Sequence, residues 1–206
     1  MKRKLILIIF VFLFNIIWVN AISVTNKLAS HYNIVIKTTN QNNLNNNVID
    51  DLDVILDTNL SYNGEDAVLI GKKIDNYLKE DLAGKGELIA KYSASYEIDP
   101  YLIASMIIEN TNCDSKCSVL VTKCNNVSKA LYNKDNMTEA ACFGGYYQKF
   151  NSVDDSIKYF IRYVKLNFYD QDLKTANAIY KAYNKDVRWV FIINQTIDKI
   201  KNSSVS

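Results

Sequence analysis

The chain has 206 residues, of which 49% are hydrophobic, and its 24 Lys and Arg nearly balance its 22 Asp and Glu. This length suits one domain with a tail or an anchor, and a net charge of +2 provides no basic field for binding nucleic acid. The single histidine, His31, lies among polar residues near the start, which argues against Ser-His-Asp catalysis, Cys-His catalysis and a multi-histidine zinc site in the main domain.

Residues 1–21 have the pattern of an export signal. A basic start, Met-Lys-Arg-Lys, precedes an apolar stretch from Leu5 to Val19, and Ala21 ends a small-residue cleavage motif. The stretch is shorter than the roughly 20 residues of a membrane helix, which favours a cleaved signal peptide over an anchor retained at residues 5–22. Either form predicts a secreted or cell-surface protein. Cleavage removes three cations and no anion, so the net charge changes from +2 to −1.

Residues 22–60 are rich in Asn and carry no helical period, which predicts a flexible spacer with at most a short strand at Ile34–Ile36. Residues 61–206 form the predicted domain. Apolar residues at helical spacing, together with Asp99-Pro100 and Ser152 as start signals, predict a mainly helical domain. The predicted helices lie near Val68–Leu78, Leu88–Tyr96, Pro100–Asn110, Val153–Phe168, Thr175–Tyr183 and Val187–Lys201.

The middle of the domain, residues 111–150, is predicted to be a loop with a β-hairpin at Gly144-Gly145. It contains all four cysteines, Cys113, Cys117, Cys124 and Cys142. In an exported protein such an even set predicts two disulfides, whose pairing the sequence leaves open. A zinc site is the alternative, although the spacing of the cysteines matches no familiar ligand pattern.

Glu109 is the carboxylate that stands out. Leu102, Met106 and Glu109 follow one another at i, i+4 and i+7, so the carboxyl lies on the apolar side of its helix. It also lies in the last turn, where the negative end of the helix dipole disfavours another negative charge. Both effects favour a protonated carboxylic acid, which is the group that a glycosidase uses to protonate a leaving oxygen.

Several short segments between residues 81 and 201 occur in an order that resembles one enzyme family. They resemble bacterial and phage glucosaminidase-type peptidoglycan hydrolases of the lysozyme-like superfamily. The matching segments are Gly84-Lys85-Gly86, Asp99-Pro100-Tyr101-Leu102 with Glu109, Asn125-Asn126-Val127, Phe150-Asn151-Ser152-Val153, and Asn167 to Thr175 followed by Ile179, Tyr183 and Trp189. The resemblance implies a mainly α (α+β) lysozyme-like domain with a small irregular or β-hairpin insert.

The resemblance also implies a substrate and a set of site residues. The substrate is the β-1,4-linked amino-sugar strand of peptidoglycan, and Glu109 is the general acid. Tyr183 is a tyrosine of the cleft, while Asn125 and Asn126 shape or line the saccharide groove. The chain departs from the family where Asn110-Thr111 replaces Thr-Gly or Ser-Gly and where Ser128-Lys129 replaces two glycines. It also lacks the family's proline after the late Tyr, and the four cysteines are a local addition.

Other roles follow from position in the sequence. Asp135 and Glu139 are candidates for a second carboxylate, and Tyr146 and Tyr147 either stack on sugar rings or pack within the hairpin. A lytic transglycosylase would use the same Glu109 and form an anhydro ring. A catalytically weak wall-binding or structural module and a membrane-tethered partner-binding protein are the alternatives outside catalysis. We expect a monomer with no cofactor and no metal, which meets a membrane only through an uncleaved start.

Overall fold

The structure is a computed structural model that describes residues 59–133 and 140–204. These residues all belong to one unit of the chain, residues 49–206. The predicted export signal, residues 22–58 of the Asn-rich spacer with the predicted strand at Ile34–Ile36, and His31 lie outside the described residues. Within the described ranges, no helix has the length and apolar character needed to cross a membrane.

The described residues are mainly helical, as predicted, with two small antiparallel sheets. Strand β1 (Ser61–Tyr62) pairs with β2 (Glu65–Asp66), and β3 (Ala140–Cys142) pairs with β4 (Tyr147–Lys149). Short 3-10 helices lie at Glu80–Leu82 and Tyr169–Gln171. The α-helices are α1 (Ala67–Asp75), α2 (Gly86–Ser95), α3 (Pro100–Thr111), α4 (Val119–Cys124), α5 (Val153–Asn167), α6 (Ala176–Tyr183) and α7 (Val187–Lys201).

The predicted start signals set the helix boundaries. The Oδ1 of Asp99 accepts hydrogen bonds from the backbone N–H groups of Tyr101 at 2.9 Å and Leu102 at 3.4 Å. The Oγ of Ser152 accepts one from the N–H of Asp155 at 3.0 Å. Each cap satisfies an N–H group that has no partner inside the helix. The loop prediction for residues 111–150 missed α4, which is too short to show a clear period.

Helix α3 lies in the core of the domain. Eleven of its twelve residues are buried, and the exception is Glu109. The helix packs against α2 and α7. A helix that is apolar all round must be buried on every face, so α3 has no apolar stripe of the predicted kind. Glu109 is therefore the one residue of this core helix that is not fully buried, and it lies in the last turn of the helix.

The Gly84-Lys85-Gly86 segment brings α1 and α2 into backbone contact. The N–H of Gly86 donates to the Oδ1 of Asp75 at 2.7 Å, which ties the start of α2 to the end of α1. A Cβ added to Gly71 of α1 would lie 2.6 Å from the Cα of Glu87 in α2. The side-chain atoms that any other residue brings would push the two helices apart.

We expect Gly71→Ala to lower the free energy of unfolding by about 3 kcal/mol, because the new methyl group meets rigid backbone. Gly84→Ala is the matched control. Gly84 has φ +76° and nothing within 4 Å of an added Cβ, so only the left-handed backbone conformation is penalised, by about 1 kcal/mol. Urea denaturation of both variants measures the difference. Equal losses would show that the contact between α1 and α2 is not tight.

A polar cluster joins the first hairpin to the ends of α3 and α7. The Nζ of Lys73 lies 2.8 Å from the Oε1 of Glu65, and the hydroxyl of Tyr101 donates to its Oε2 at 2.7 Å. Burial acts to raise the pKa of the Glu65 carboxyl, but the hydrogen bonds from Lys73 and Tyr101 and the charges of Lys73 and Lys201 outweigh it. The pKa of Glu65 therefore lies below its usual value, and the carboxylate stabilises the fold.

We expect Glu65→Gln to lower the free energy of unfolding by about 1 kcal/mol at pH 7, since the charged hydrogen bonds are partly exposed to solvent. A depressed folded-state pKa gives stability that is present above the unfolded pKa of about 4.3 and is lost as the pH falls through the folded pKa. The difference between wild type and variant should therefore disappear in acid. Asp81→Asn at an exposed carboxylate is the control, and a difference that persists unchanged at low pH would contradict the ion-pair account.

Candidate active site around Glu109

Glu109 projects from the last turn of α3, where the chain leaves the core. The helix ends at Asn112, which adopts a left-handed conformation with φ 56° and donates its N–H to the carbonyl of Ile108 at 2.7 Å. The Oε2 of Glu109 is buried, and it accepts no hydrogen bond from any residue that the structure describes. A buried polar atom without a partner costs about 1–3 kcal/mol. Five other side-chain atoms of the described residues share this condition, but the one carboxylate oxygen among them, on Asp154, is ion-paired with Lys85. The unpartnered carboxyl oxygen of Glu109 therefore requires an explanation.

Tyr183, the predicted cleft tyrosine, lies close to Glu109 although 74 residues separate them in the sequence. The Nδ2 of Asn110 donates to the hydroxyl oxygen of Tyr183 at 2.8 Å. Burial raises the pKa of Tyr183 well above its usual range, the hydrogen bond from Asn110 acts in the opposite direction, and the nearby Tyr163 and Glu109 side chains add to the increase. The hydroxyl of Tyr183 is therefore protonated at neutral pH, and it lies within electrostatic reach of Glu109.

Aromatic packing holds the ring of Tyr183 in place. Its ring centroid lies 5.4 Å from that of Trp189 at the start of α7. It lies 6.0 Å from Phe168 in an edge-to-face arrangement and 6.4 Å from Phe160. Such pairs add to the stabilisation that burial of the rings provides. The end of α6 is thereby fixed against α5 and α7, and the hydroxyl of Tyr183 has a defined position.

The two predicted groove residues, Asn125 and Asn126, direct their side chains into the protein. Asn125 ends α4 with φ 52°, and its Nδ2 donates to the carbonyls of Phe150 at 3.0 Å and Asn151 at 3.2 Å. Asn126 is 1% exposed. Its Nδ2 donates to the carbonyls of Ala130 and Gln148, and its Oδ1 accepts from the N–H groups of Ser128 and Ala130. The amide of Asn126 is fully used in shaping residues 125–130.

The loop of residues 125–130 connects to both α3 and α5. The N–H of Val127 donates to the Oγ of Ser156 at 2.9 Å, and its carbonyl accepts from the Nδ2 of Asn110 at 3.3 Å. Lys129, at the end of the Asn125–Lys129 segment, adopts a left-handed conformation with φ 56°. The loop thus has a conformation there that glycine favours, although the residue is a lysine.

Both predicted disulfides form, and the structure supplies the pairing that the sequence leaves open. Cys113 pairs with Cys117 directly after α3, with Cα atoms 4.2 Å apart. Cys124 pairs with Cys142, with Cα atoms 5.9 Å apart, and joins the end of α4 to β3. No cysteine is left free for the alternative zinc site. The second disulfide holds the β3–β4 hairpin beside the loop of residues 125–130.

The predicted hairpin is present, and Tyr146 and Tyr147 lie on it. Tyr146 is 63% exposed and Tyr147 is partly buried, and their rings meet edge to face with centroids 5.0 Å apart. Both interpretations of this pair, sugar stacking and packing within the hairpin, remain predictions. The two candidates for a second carboxylate, Asp135 and Glu139, lie outside the described residues.

The structure brings Glu109, Tyr183 and the loop of residues 125–130 together through a residue that sequence reasoning did not assign to the site. Asn110 was noted only as a departure from the family pattern, yet its amide contacts both Tyr183 and Val127. Ser156 was also missed. A signal for Asn110 was available, because an Asn in the last turn of an otherwise apolar helix needs hydrogen-bond partners.

The sequence was also compared with known families and proteins. No protein-family model matches the chain, and no curated protein matches it.

Proposed function

We propose that the protein is an exported glycosidase that cleaves β-1,4 bonds between the amino sugars of peptidoglycan, with Glu109 as the general acid. The proposal is carried by the Oε2 of Glu109, which is buried at the end of a core helix and accepts no hydrogen bond from any described residue. A carboxyl oxygen left open in this way can make a hydrogen bond with the bridging oxygen of a glycosidic bond, and general acid catalysis requires that contact. The lysozyme-like architecture implied by the ordered motifs belongs to the same proposal.

In the first step Glu109 donates its proton to the bridging oxygen of the glycosidic bond. The bond between this oxygen and the anomeric carbon breaks, its electron pair stays with the departing sugar, and positive charge develops on the other ring. Asn110, the residue after Glu109, is hydrogen-bonded both to the hydroxyl of Tyr183 and to the loop of residues 125–130. Tyr146 and Tyr147 present aromatic surface on the hairpin, and such surface suits the apolar faces of sugar rings.

The second step completes the reaction in one of two ways. Attack by water on the anomeric carbon gives a new reducing end and makes the protein a hydrolase. Attack by the sugar's own 6-hydroxyl gives a 1,6-anhydro end and makes it a lytic transglycosylase. Asp135 and Glu139 are the candidates for activating the attacking group. Two disulfides agree with an oxidising compartment outside the cytosol.

The proposal is tested by incubating the purified protein with peptidoglycan sacculi and analysing the soluble products by mass spectrometry. We expect wild type to release muropeptides, and the mass of the new ends assigns the hydrolase or the lytic transglycosylase reaction. Co-sedimentation with the sacculi is measured in parallel. Binding without any release by wild type would overturn the enzymatic proposal and favour the wall-binding module.

A further inference from the structure

We propose that Asn110 is a positioning residue that fixes the direction of the Tyr183 hydroxyl and couples it to the loop of residues 125–130. Tyr183 would then present its proton as a hydrogen-bond donor to an oxygen of the glycan. The inference rests on the proposed function, because it assigns how a second group of the same site meets the substrate.

The contacts of Asn110 form a junction between three parts of the domain. Asn110 is 6% exposed and lies on α3, directly after Glu109. Its Nδ2 donates to the hydroxyl oxygen of Tyr183 on α6 at 2.8 Å and to the carbonyl of Val127 at 3.3 Å. Val127 is itself fixed to α5 through Ser156. Both hydrogens of a single amide group are thus used to connect elements that surround Glu109.

The carbonyl of Val127 determines which way the amide of Asn110 faces. A carbonyl oxygen only accepts hydrogen bonds, so the nitrogen of the amide, and not its oxygen, must face Val127. The same nitrogen is the atom that contacts Tyr183. The hydroxyl oxygen of Tyr183 is therefore an acceptor in this contact, and its own proton must point away from Asn110.

No acceptor in the described part of the protein competes with a substrate for the proton of the Tyr183 hydroxyl. No described residue accepts it, since the bond from Asn110 is the only hydrogen bond that Tyr183 makes through its side chain in the described part of the chain. A phenol proton lies near the plane of its ring and has two directions in that plane. Because the amide of Asn110 lies in one of these two directions, the O–H bond of Tyr183 points in the other. Without Asn110 the O–H bond would populate both directions.

The test is a double-mutant cycle on muropeptide release with Asn110→Leu, Tyr183→Phe and the double variant. Leu has nearly the shape of Asn but donates no hydrogen bond. We expect each single variant to lower kcat about tenfold and to change KM less than about threefold. This pattern is the one produced when a hydrogen bond that stabilises the transition state is lost. We expect the double variant to lie within about twofold of Tyr183→Phe, because both changes remove the same oriented donor.

A second variant and a control separate positioning from stability. Asn110→Asp keeps the size of the side chain but makes it an acceptor for the Tyr183 proton, so it should lower kcat as much as Asn110→Leu even where the Leu variant folds poorly. Thr111→Val is the matched control. The hydroxyl of buried Thr111 donates to the carbonyl of Ile107 at 2.7 Å, and its loss should lower the melting temperature without changing kcat.

The outcomes distinguish this inference from the proposed function. Full kcat in Asn110→Leu, or losses that multiply in the double variant, would overturn the role of Asn110 while an inactive Glu109→Gln still supports the proposed function. An inactive wild type would overturn the proposed function and this inference with it. Equal losses of kcat in Thr111→Val and Asn110→Leu would show that Asn110 affects kcat only by stabilising the fold.

Discussion

Replacing Glu109 with Gln should lower the rate of muropeptide release by about 10²–10⁴-fold, the range that general acid catalysis contributes. Gln keeps the size of the side chain and its place at the end of α3, but it has no proton of suitable acidity to transfer. The variant should therefore be about as stable as wild type, which separates a catalytic loss from an unfolded protein.

The control for this prediction is Glu97→Gln. Glu97 is an exposed carboxylate that follows α2, and its φ of 57° places it in a turn. The substitution removes the same charge without touching the site, so release should stay within about twofold of wild type, since surface changes rarely exceed about 0.5 kcal/mol. Undiminished release by Glu109→Gln, in a preparation free of contaminating hydrolases, would remove Glu109 from the mechanism.

Removing the Cys124–Cys142 disulfide by Cys124→Ala with Cys142→Ala should lower the free energy of unfolding by about 3 kcal/mol. The bond spans 18 residues, and opening a loop of this length returns considerable entropy to the unfolded chain. The same bond connects the end of α4 to the hairpin that carries Tyr146 and Tyr147. We therefore expect weaker binding of the glycan, seen as a higher KM.

The Cys113–Cys117 disulfide is the matched comparison. It spans only 4 residues, so Cys113→Ala with Cys117→Ala should cost about 2 kcal/mol in the same model. Urea denaturation and KM are measured for both pairs. A larger stability loss at Cys113–Cys117, or an unchanged KM without Cys124–Cys142, would contradict the role assigned to the second disulfide.

Local chemistry made much of the fold predictable. Asp99 and Ser152 cap their helices through contacts with the next two or three residues, so the sequence around them was sufficient to place α3 and α5. The hairpin was indicated by Gly144 and Gly145, which both have positive φ. The pairing of the cysteines was not predictable, because it depends on where α4 ends relative to β3 in space.

The site was predictable only in part, for the same reason. Glu109 was identified because it is a carboxyl residue that follows Leu102 and Met106 at helical spacing in the last turn of a predicted helix. Asn110 acts through Tyr183, a residue 73 positions away, and no local pattern indicates such a contact. Asn126 was predicted to shape or line the groove, and its internal hydrogen bonds to Ala130 and Gln148 depend on the fold of β4 against the loop.

The most direct test of the central claim compares two substrates that differ only in their need for a proton. One is an unactivated amino-sugar oligomer, and the other is the same glycan with a dinitrophenyl leaving group, which departs without protonation. We predict that Glu109→Gln loses about 10²-fold or more on the first substrate and less than about tenfold on the second. Equal losses on both substrates would show that Glu109 does not act as the general acid.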